Sequence, residues 1–390
     1  MRLSAFVMTL LAGAAVCVLS PAFGQTLIVG DDEKNGIENH KPTIREPGHD
    51  TLAIVDLSNP AAPRVSATIP LMNSIVGPPT NLAIVPSGEI ALVANSVAPE
   101  VEGWSRKLAP DNKVFVVDLK ASPPKLVGTV TVGKQPSGMA ISPKGDLALV
   151  ANRADGTISV LSIHGKDVLV TDTVPVGAPA DSVAGVAITP DGKRALVFKA
   201  AANKVALLSI DGGKVKYAKH DLPTGIFPYN VVVAPSGKLA LTADNGGNGS
   251  SDGNVDTVGV IDLEANPPRV IDHIVVGDSP EGLAMSPKGD VAVSVQAEGS
   301  NRSPNTSYYH PTGSIAVLKI DGKKVTNVGN INVGALPEGA AFSPDGSYLY
   351  VGNFIDGDLS VLKVDGSKIT DTGQRLKLPG HPASLRSGPQ

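Results

Sequence analysis

The chain has 390 residues, a formal charge of −4, 4% aromatic residues and one cysteine, Cys17. That mild acidity argues against a nucleic-acid partner, which selects a basic face. A lone cysteine leaves no disulfide and no cysteine-ligated zinc. The 42 glycines and 32 prolines sit between ordered apolar runs and signal many turns, hence many short strands.

The first 24 residues read as an export signal. Arg2 supplies the positive start, LSAFVMTLLAGAAVCVLS the apolar run, and Ala22-Phe23-Gly24 the small-x-small cleavage site. The run is short for a membrane span, so no span is expected after cleavage. Val16 before Cys17 does not suit a lipid-attachment box. The expected address is the periplasm or the exterior, with residues 25–390 as a single domain.

From there one phrase recurs. Glycines 77, 133, 177, 225, 277, 334 and 380 each open a unit, at spacings of 56, 44, 48, 52, 57 and 46. A first apolar run follows an entry proline, as in NLAIVP (81–86), GMAISP (138–143) and GLAMSP (282–287). A Pro-x-Gly turn comes next, because proline presets φ and glycine accepts positive φ. Then come a second run such as ALVAN (91–95 and 148–152), a third such as DLSVLKV (358–364), and a weaker fourth such as RVIDHIVVG (269–277). Short β-branched runs at this period predict a β-propeller with four antiparallel strands per blade. The last unit holds only an entry and one run, HPASLRS (381–387). TLIVGD (26–31), TLAIVDL (51–57) and RVSATIPL (64–71) supply what it lacks. The expectation is an all-β, seven-bladed propeller closed by a blade shared between the two ends.

Tyr350-Val351-Gly352-Asn353, the two ALVAN runs and the SPDG and SPKG turns resemble the YVTN-type propeller repeat of bacterial and archaeal exported proteins, related to lactonase-like propellers. The resemblance covers the chain from residue 25 onward. It implies the fold, and leaves function open among enzymes, redox-complex subunits and binding modules. It also takes in copper or haem propellers with channel histidines, whose spacing signatures are not matched here.

Four loops between second and third runs are long: 31–50, 96–112, 244–256 and 297–313. They should share one face around the channel. Trp104, Tyr308, Tyr309, Arg302, His40, His49 and His310 lie in them, and His381 sits at the entry of the split blade. The residues after the entry proline form a ring: Thr80, Ser137, Ala184, Tyr229, Glu281, Glu338 and Ala383. Only neighbouring blades five and six carry a carboxylate there. Paired carboxylates can hold a cation or divide acid and base roles; the plainer reading is two capping residues of a Pro-Glu-Gly turn. A second ring ends the second strands: Asp31, Asn95, Asn152, Lys199, Asp244, Gln296 and Asn353. These read as turn caps, with Lys199 beside Asp244 as a salt bridge or substrate contact. The loop Asp252-Gly-Asn254-Val-Asp256 alternates oxygen ligands but lacks the glycine and distal glutamate of a calcium loop.

Three functions follow. The first is a propeller binding a small molecule or periplasmic protein on its insertion-rich face, as a monomer, with Tyr229, Lys199, Arg302, Trp104, Tyr308 and Tyr309 as contacts. The second is a lactonase-like hydrolase with Glu281, Glu338, His310 and His381 as catalytic groups. The third is an oxidoreductase with a divalent metal on His40, His49, His310 and His381. No nucleophile elbow, phosphate loop, dinucleotide fingerprint or HExxH motif is present.

Overall fold

The alternation of apolar and small residues makes each run a strand, and the Pro-x-Gly turns fold successive strands into meanders. A computed structural model describes residues 25–38, 40–74, 76–103, 105–247 and 249–388. The proposed export signal lies outside these residues, as does Trp104. Seven four-stranded antiparallel sheets and one two-stranded sheet make up the described fold, with no α-helix.

Blade 1 holds Leu82–Ile84, Ile90–Glu102, Ser105–Asp118 and Lys125–Thr131. Blade 2 holds Pro136–Ile141, Leu147–Asn152, Thr157–His164 and Asp167–Pro175. Blade 3 holds Val183–Ile188, Arg194–Lys199, Lys204–Asp211 and Lys214–Pro223. Blades 4, 5 and 6 repeat the plan from Pro228–Val233, Pro280–Met285 and Pro337–Phe342. Each blade's first strand faces the channel and its fourth faces out. The turn glycine between strands one and two is left-handed, as at Gly88 (φ 67°) and Gly145 (φ 77°), which only glycine adopts without cost.

Blade 7 is the shared one, in the order Pro382–Gly388, Thr26–Asp31, Thr51–Asp56, Arg64–Pro70. Thr26 pairs with Gly388 on one side and Asp56 on the other. Successive side chains of Thr26–Asp31 point to opposite faces. Leu27 and Val29 therefore pack with Tyr350 and Val361 of blade 6, while Ile28 packs with Leu82 and Val93 of blade 1. One strand of alternating aliphatics thus fills two interblade cores and closes the ring.

The first strands crowd where they approach the axis. A Cβ on Gly138 would stand 2.7 Å from the Gly185 Cα, and one on Gly282 would stand 2.2 Å from the Glu338 carbonyl oxygen. The residue just before the first strand is left-handed in five blades: Gln135, Ser182, Phe227, Ser279 and Leu336, with φ between 46° and 58°. Non-glycine residues there cost roughly 1 kcal/mol or more each, and the bend sets the direction in which the following residues enter the channel.

Two of the four insertions are hairpins rather than loops. In blade 1 the second and third strands run on and pair through Val97↔Pro110 to Glu102↔Ser105. In blade 7, Asn35–Glu38 pairs with Lys41–Ile44. Its base is pinned by Lys34, fully buried with its ammonium 3.2 Å from Asp32 and 2.8 Å from Asp50. Arg106 and Glu46 bridge the two hairpins.

Gly282→Ala should lower stability by about 1–3 kcal/mol, because the new methyl group meets backbone rather than a side chain that can swing away. Urea unfolding of the variant against the parent chain measures this.

Candidate functional site

The left-handed bends deliver the first ring to the mouth of the channel on the insertion-bearing face. Glu281 and Glu338, from adjacent blades, meet there and hydrogen-bond to each other. Glu338 is 2% exposed and Glu281 8%. Burial disfavours the charged form of both, so both carboxyls titrate well above the ordinary range, Glu281 at about 7. Two such groups in contact titrate as a pair, and their hydrogen bond needs a proton on one of them. The plainer expectation of solvated turn caps is therefore replaced by a buried pair.

Glu281 also accepts a hydrogen bond from Ser279, whose hydroxyl in turn takes the amide of Asn245 at 2.9 Å. Asp256 accepts the Ser279 backbone N–H at 2.8 Å and holds that bend in place. Tyr229 is the third member. It is buried, its hydroxyl is hydrogen-bonded by the Gly77 amide, and it feels the charges of Glu281, Arg153 and Glu338. Burial, followed by the Glu281 charge, drives its pKa up, so the phenol stays protonated and able to donate. Phe227 stacks on it with ring centroids 6.1 Å apart. Arg153 donates from Nε to Ser182 Oγ at 2.6 Å, which aims the guanidinium from blade 2.

The sequence reading missed Arg153, Ser182, Ser279 and Asn245. A signal for two of them existed. One position beyond the second ring stand Asp32, Ser96, Arg153, Ala200, Asn245, Ala297 and Phe354, and only Arg153 is cationic.

The second ring behaves as a set of caps, mainly to side chains. Asn152 donates to Thr157 and Ser159, both at 2.9 Å, and Asn353 to Asp358 (2.8 Å) and Ser360 (2.9 Å). Lys199 does not pair with Asp244. Its ammonium lies 3.0 Å from Asp221 and 3.2 Å from the Tyr217 hydroxyl, both on the outer strand of its own blade. Burial opposes its charge, and the bonds from Asp221 and Tyr217 outweigh that and raise its pKa. Asp244 instead sits 3.7 Å from His273 and bonds Thr257. Lys199 therefore braces its own blade.

Arg302 is a clamp between insertions. It donates to the Ser251 carbonyl at 2.9 Å and to the Ser250 hydroxyl. Tyr308 packs on Gly253 across the same seam. Tyr309 meets His40 edge to face at 6.3 Å.

The four histidines do not form a centre. His40, His49 and His310 are exposed, and His381 is held by Glu33, with Nδ1 2.6 Å from Oε1 and its backbone N–H at 2.8 Å. Among the described residues no three His, Cys, Asp or Glu side chains are grouped to hold a metal ion. The histidines expected from the sequence as a metal-ligand set are therefore not brought together, because they are carried on separate insertions and on the entry of blade 7. In the 244–256 loop, carboxylates cap backbone instead: Asp252 takes the Asn254 amide at 2.9 Å, and Asp278 takes those of Asp252 and Gly253 at 3.2 and 3.1 Å.

No family model matches the chain, and no curated relative does. Solved structures do. A putative 6-phosphogluconolactonase from Bacteroides fragilis superposes with a TM-score of 0.68 at 16% identity, covering 94% of this chain and 99% of that one. The periplasmic gluconolactonase of Pseudomonas aeruginosa gives 0.67 at 18%, covering 93% and 98%. Hydrazine synthase of Kuenenia stuttgartiensis gives 0.57 at 23%, over 76% and 79%. At these identities the shared property is the propeller fold. Lactonase-like propellers stand among the chain's structural neighbours, and no helix of the described residues is long and apolar enough to cross a membrane.

Several buried acids bind protons more tightly folded than unfolded. Burial raises Asp31 and Asp256 from 3.8 to about 7 and Glu281 from 4.5 to about 7, and Glu338 moves the same way. Their contribution is complete below the ordinary values and is lost as pH rises through 7, because the unfolded chain ionises first. The melting temperature should therefore fall between pH 5 and pH 8. Scanning calorimetry should show a smaller fall in the E281Q/E338Q variant.

Proposed function

We propose that the chain is an exported, lactonase-like hydrolase acting at the insertion-bearing mouth of the channel. The observation that carries this is the proton-sharing Glu281–Glu338 pair beside a protonated Tyr229. The structural neighbours named as lactonases support it. A base poised near neutral pH, backed by a second carboxyl, suits the hydrolysis of an ester ring.

In this reading Glu281, the more accessible carboxylate, takes a proton from water as the water oxygen bonds to the lactone carbonyl carbon. Tyr229 donates a hydrogen bond to the carbonyl oxygen as it becomes an oxyanion. Arg153 adds positive charge on the same side and orients polar groups of the ring. The ring C–O bond then breaks, and the departing alkoxide takes the proton from Glu281. The product is a hydroxy acid, and the pair returns to its starting state. Glu338 is a positioning residue that sets the Glu281 pKa.

A second reading, a binding propeller, draws on exposed Ile226 and Val255 beside the same mouth, at 61% and 69% exposure. It requires ligand retention without turnover.

With glucono-δ-lactone, followed by base uptake above the spontaneous rate, the parent chain should show kcat/KM rising with pH to a plateau with a midpoint near 7. Glu281→Gln should lower it at least about a hundredfold, and Tyr229→Phe by a similar factor. Absence of turnover across a panel of lactones, together with retained ligand binding, would favour the binding reading.

A further inference from the structure

The two acids of the pair sit in identical triplets, Pro-Glu-Gly, but follow different bends. The residue before the proline is Ser279 in blade 5 and Leu336 in blade 6, both left-handed, at φ 58° and 46°. Each bend is clamped through its backbone. Ser279 donates its N–H to Asp256 at 2.8 Å, and its carbonyl accepts the Ala297 N–H at 3.1 Å. Leu336 donates its N–H to the Ser300 hydroxyl at 2.8 Å, and its carbonyl accepts the Phe354 N–H at 3.0 Å. The difference lies in the side chains. A serine can donate to the carboxyl that follows it, and a leucine cannot.

A further residue aims the serine. The Ser279 oxygen accepts Asn245 Nδ2 at 2.9 Å, which leaves its own proton for Glu281. Asn245 is held in turn: its Oδ1 accepts the Ser250 N–H at 3.1 Å, and its backbone N–H donates to the Phe227 carbonyl at 3.0 Å. Both Ser279 and Asn245 are fully buried. The Ser250 hydroxyl takes Arg302 from the neighbouring insertion, so the two insertions brace the arrangement together. Glu338 has no such donor. Its Oε2 is buried without a hydrogen-bond partner. A neutral carboxyl leaves one bare carbonyl oxygen there, whereas an ionised one would leave a bare charge, which is far costlier.

We propose that Ser279, seated by Asn245, is a positioning residue that keeps Glu281 as the ionised member of the pair and leaves the proton on Glu338. Glu281 then accepts two hydrogen bonds, from Ser279 and from the Glu338 O–H. The other titratable or charged groups about it are Tyr229 from blade 4 and Arg153 from blade 2, with Asp256 and Asp278 at the bend itself. The consequence for catalysis rests on the hydrolase reading, since it makes Glu281 the base. The placement of the proton does not.

The test is a pH titration of the full chain carrying 13C-labelled glutamate carboxyls, with the two signals assigned through Glu281→Gln and Glu338→Gln. In the parent, Glu281 should ionise at lower pH than Glu338. Loss of a donor disfavours the charged form, so Ser279→Ala should move the Glu281 midpoint up by about one pH unit, closer to Glu338. Asn245→Ala should move it the same way by less. Ser96→Ala removes another buried hydroxyl of the insertion-bearing face, one bonded to Ser137 rather than to the pair, and should not move it. Where lactone turnover is present, its pH midpoint should shift with the carbon signal while the plateau stays within about threefold. A purely structural role would lower the plateau and leave the midpoint in place. Melting curves check folding, and Asn245→Ala decides the matter if Ser279→Ala does not fold. A shift of the carbon signal without any lactone turnover supports the proton placement and counts against the hydrolase. The proposal is overturned if Glu338 ionises first in the parent, if folded Ser279→Ala, or Asn245→Ala in its place, titrates as the parent does, or if Ser96→Ala shifts Glu281 equally.

Discussion

Seven first strands converge on one axis, and between some neighbouring blades there is no room for a side chain. Gly138 faces Gly185, and Gly282 faces the carbonyl of Glu338, at distances a methyl group cannot share. At the insertion-bearing mouth, strained bends bring two carboxyls and a phenol together. At the far ends of the first strands, side chains such as Ile141 and Ile188 line a cavity of about 450 Å³. The glycines let neighbouring blades approach closely at the positions that carry them.

The carboxyl pair shows how a scaffold repeat becomes a site. Five blades bend the same way before the first strand, so any residue placed two positions beyond the bend is driven into the mouth. Ser137 uses that position for a hydroxyl hydrogen bond with Ser96, and Ala184 uses it for packing. Glu281 and Glu338 use it to press two acids together in a place that water scarcely reaches. The energy that holds them there comes from the interblade cores, not from the acids themselves, whose burial opposes folding once they ionise.

The fold was legible because period and turn chemistry repeat. Six Pro-x-Gly turns and an unpaired set of strands at each end leave few other closures. Glu281 and Glu338 were legible too, as departures from a repeat. Their proton sharing was not, because nothing in a Pro-Glu-Gly triplet reports burial. The bends escaped for a different reason: Gln135, Ser182, Phe227, Ser279 and Leu336 are residue types with no preference for a left-handed backbone. Lys199 misled because adjacency of blades was taken for adjacency of side chains. It turns outward across its own sheet to the fourth strand at Asp221, whereas Asn152 and Asn353 reach only the neighbouring third strand. The histidines misled because loop residues carry no register from which to infer a distance.

The shared blade has a consequence for how such a chain is made. Thr26 meets Gly388, so the earliest strand of the ring waits for one of the last. Blades 1 to 6 are each local meanders that can form as they emerge, since their pairings span few residues. The strand Thr26–Asp31, with both of its faces apolar, has only Thr51–Asp56 to lean on until synthesis reaches the far end. During that interval it is an open, adhesive edge. A chain built this way gains from being kept unfolded until it is whole, and closure, not blade formation, is then the step that sets when the protein exists.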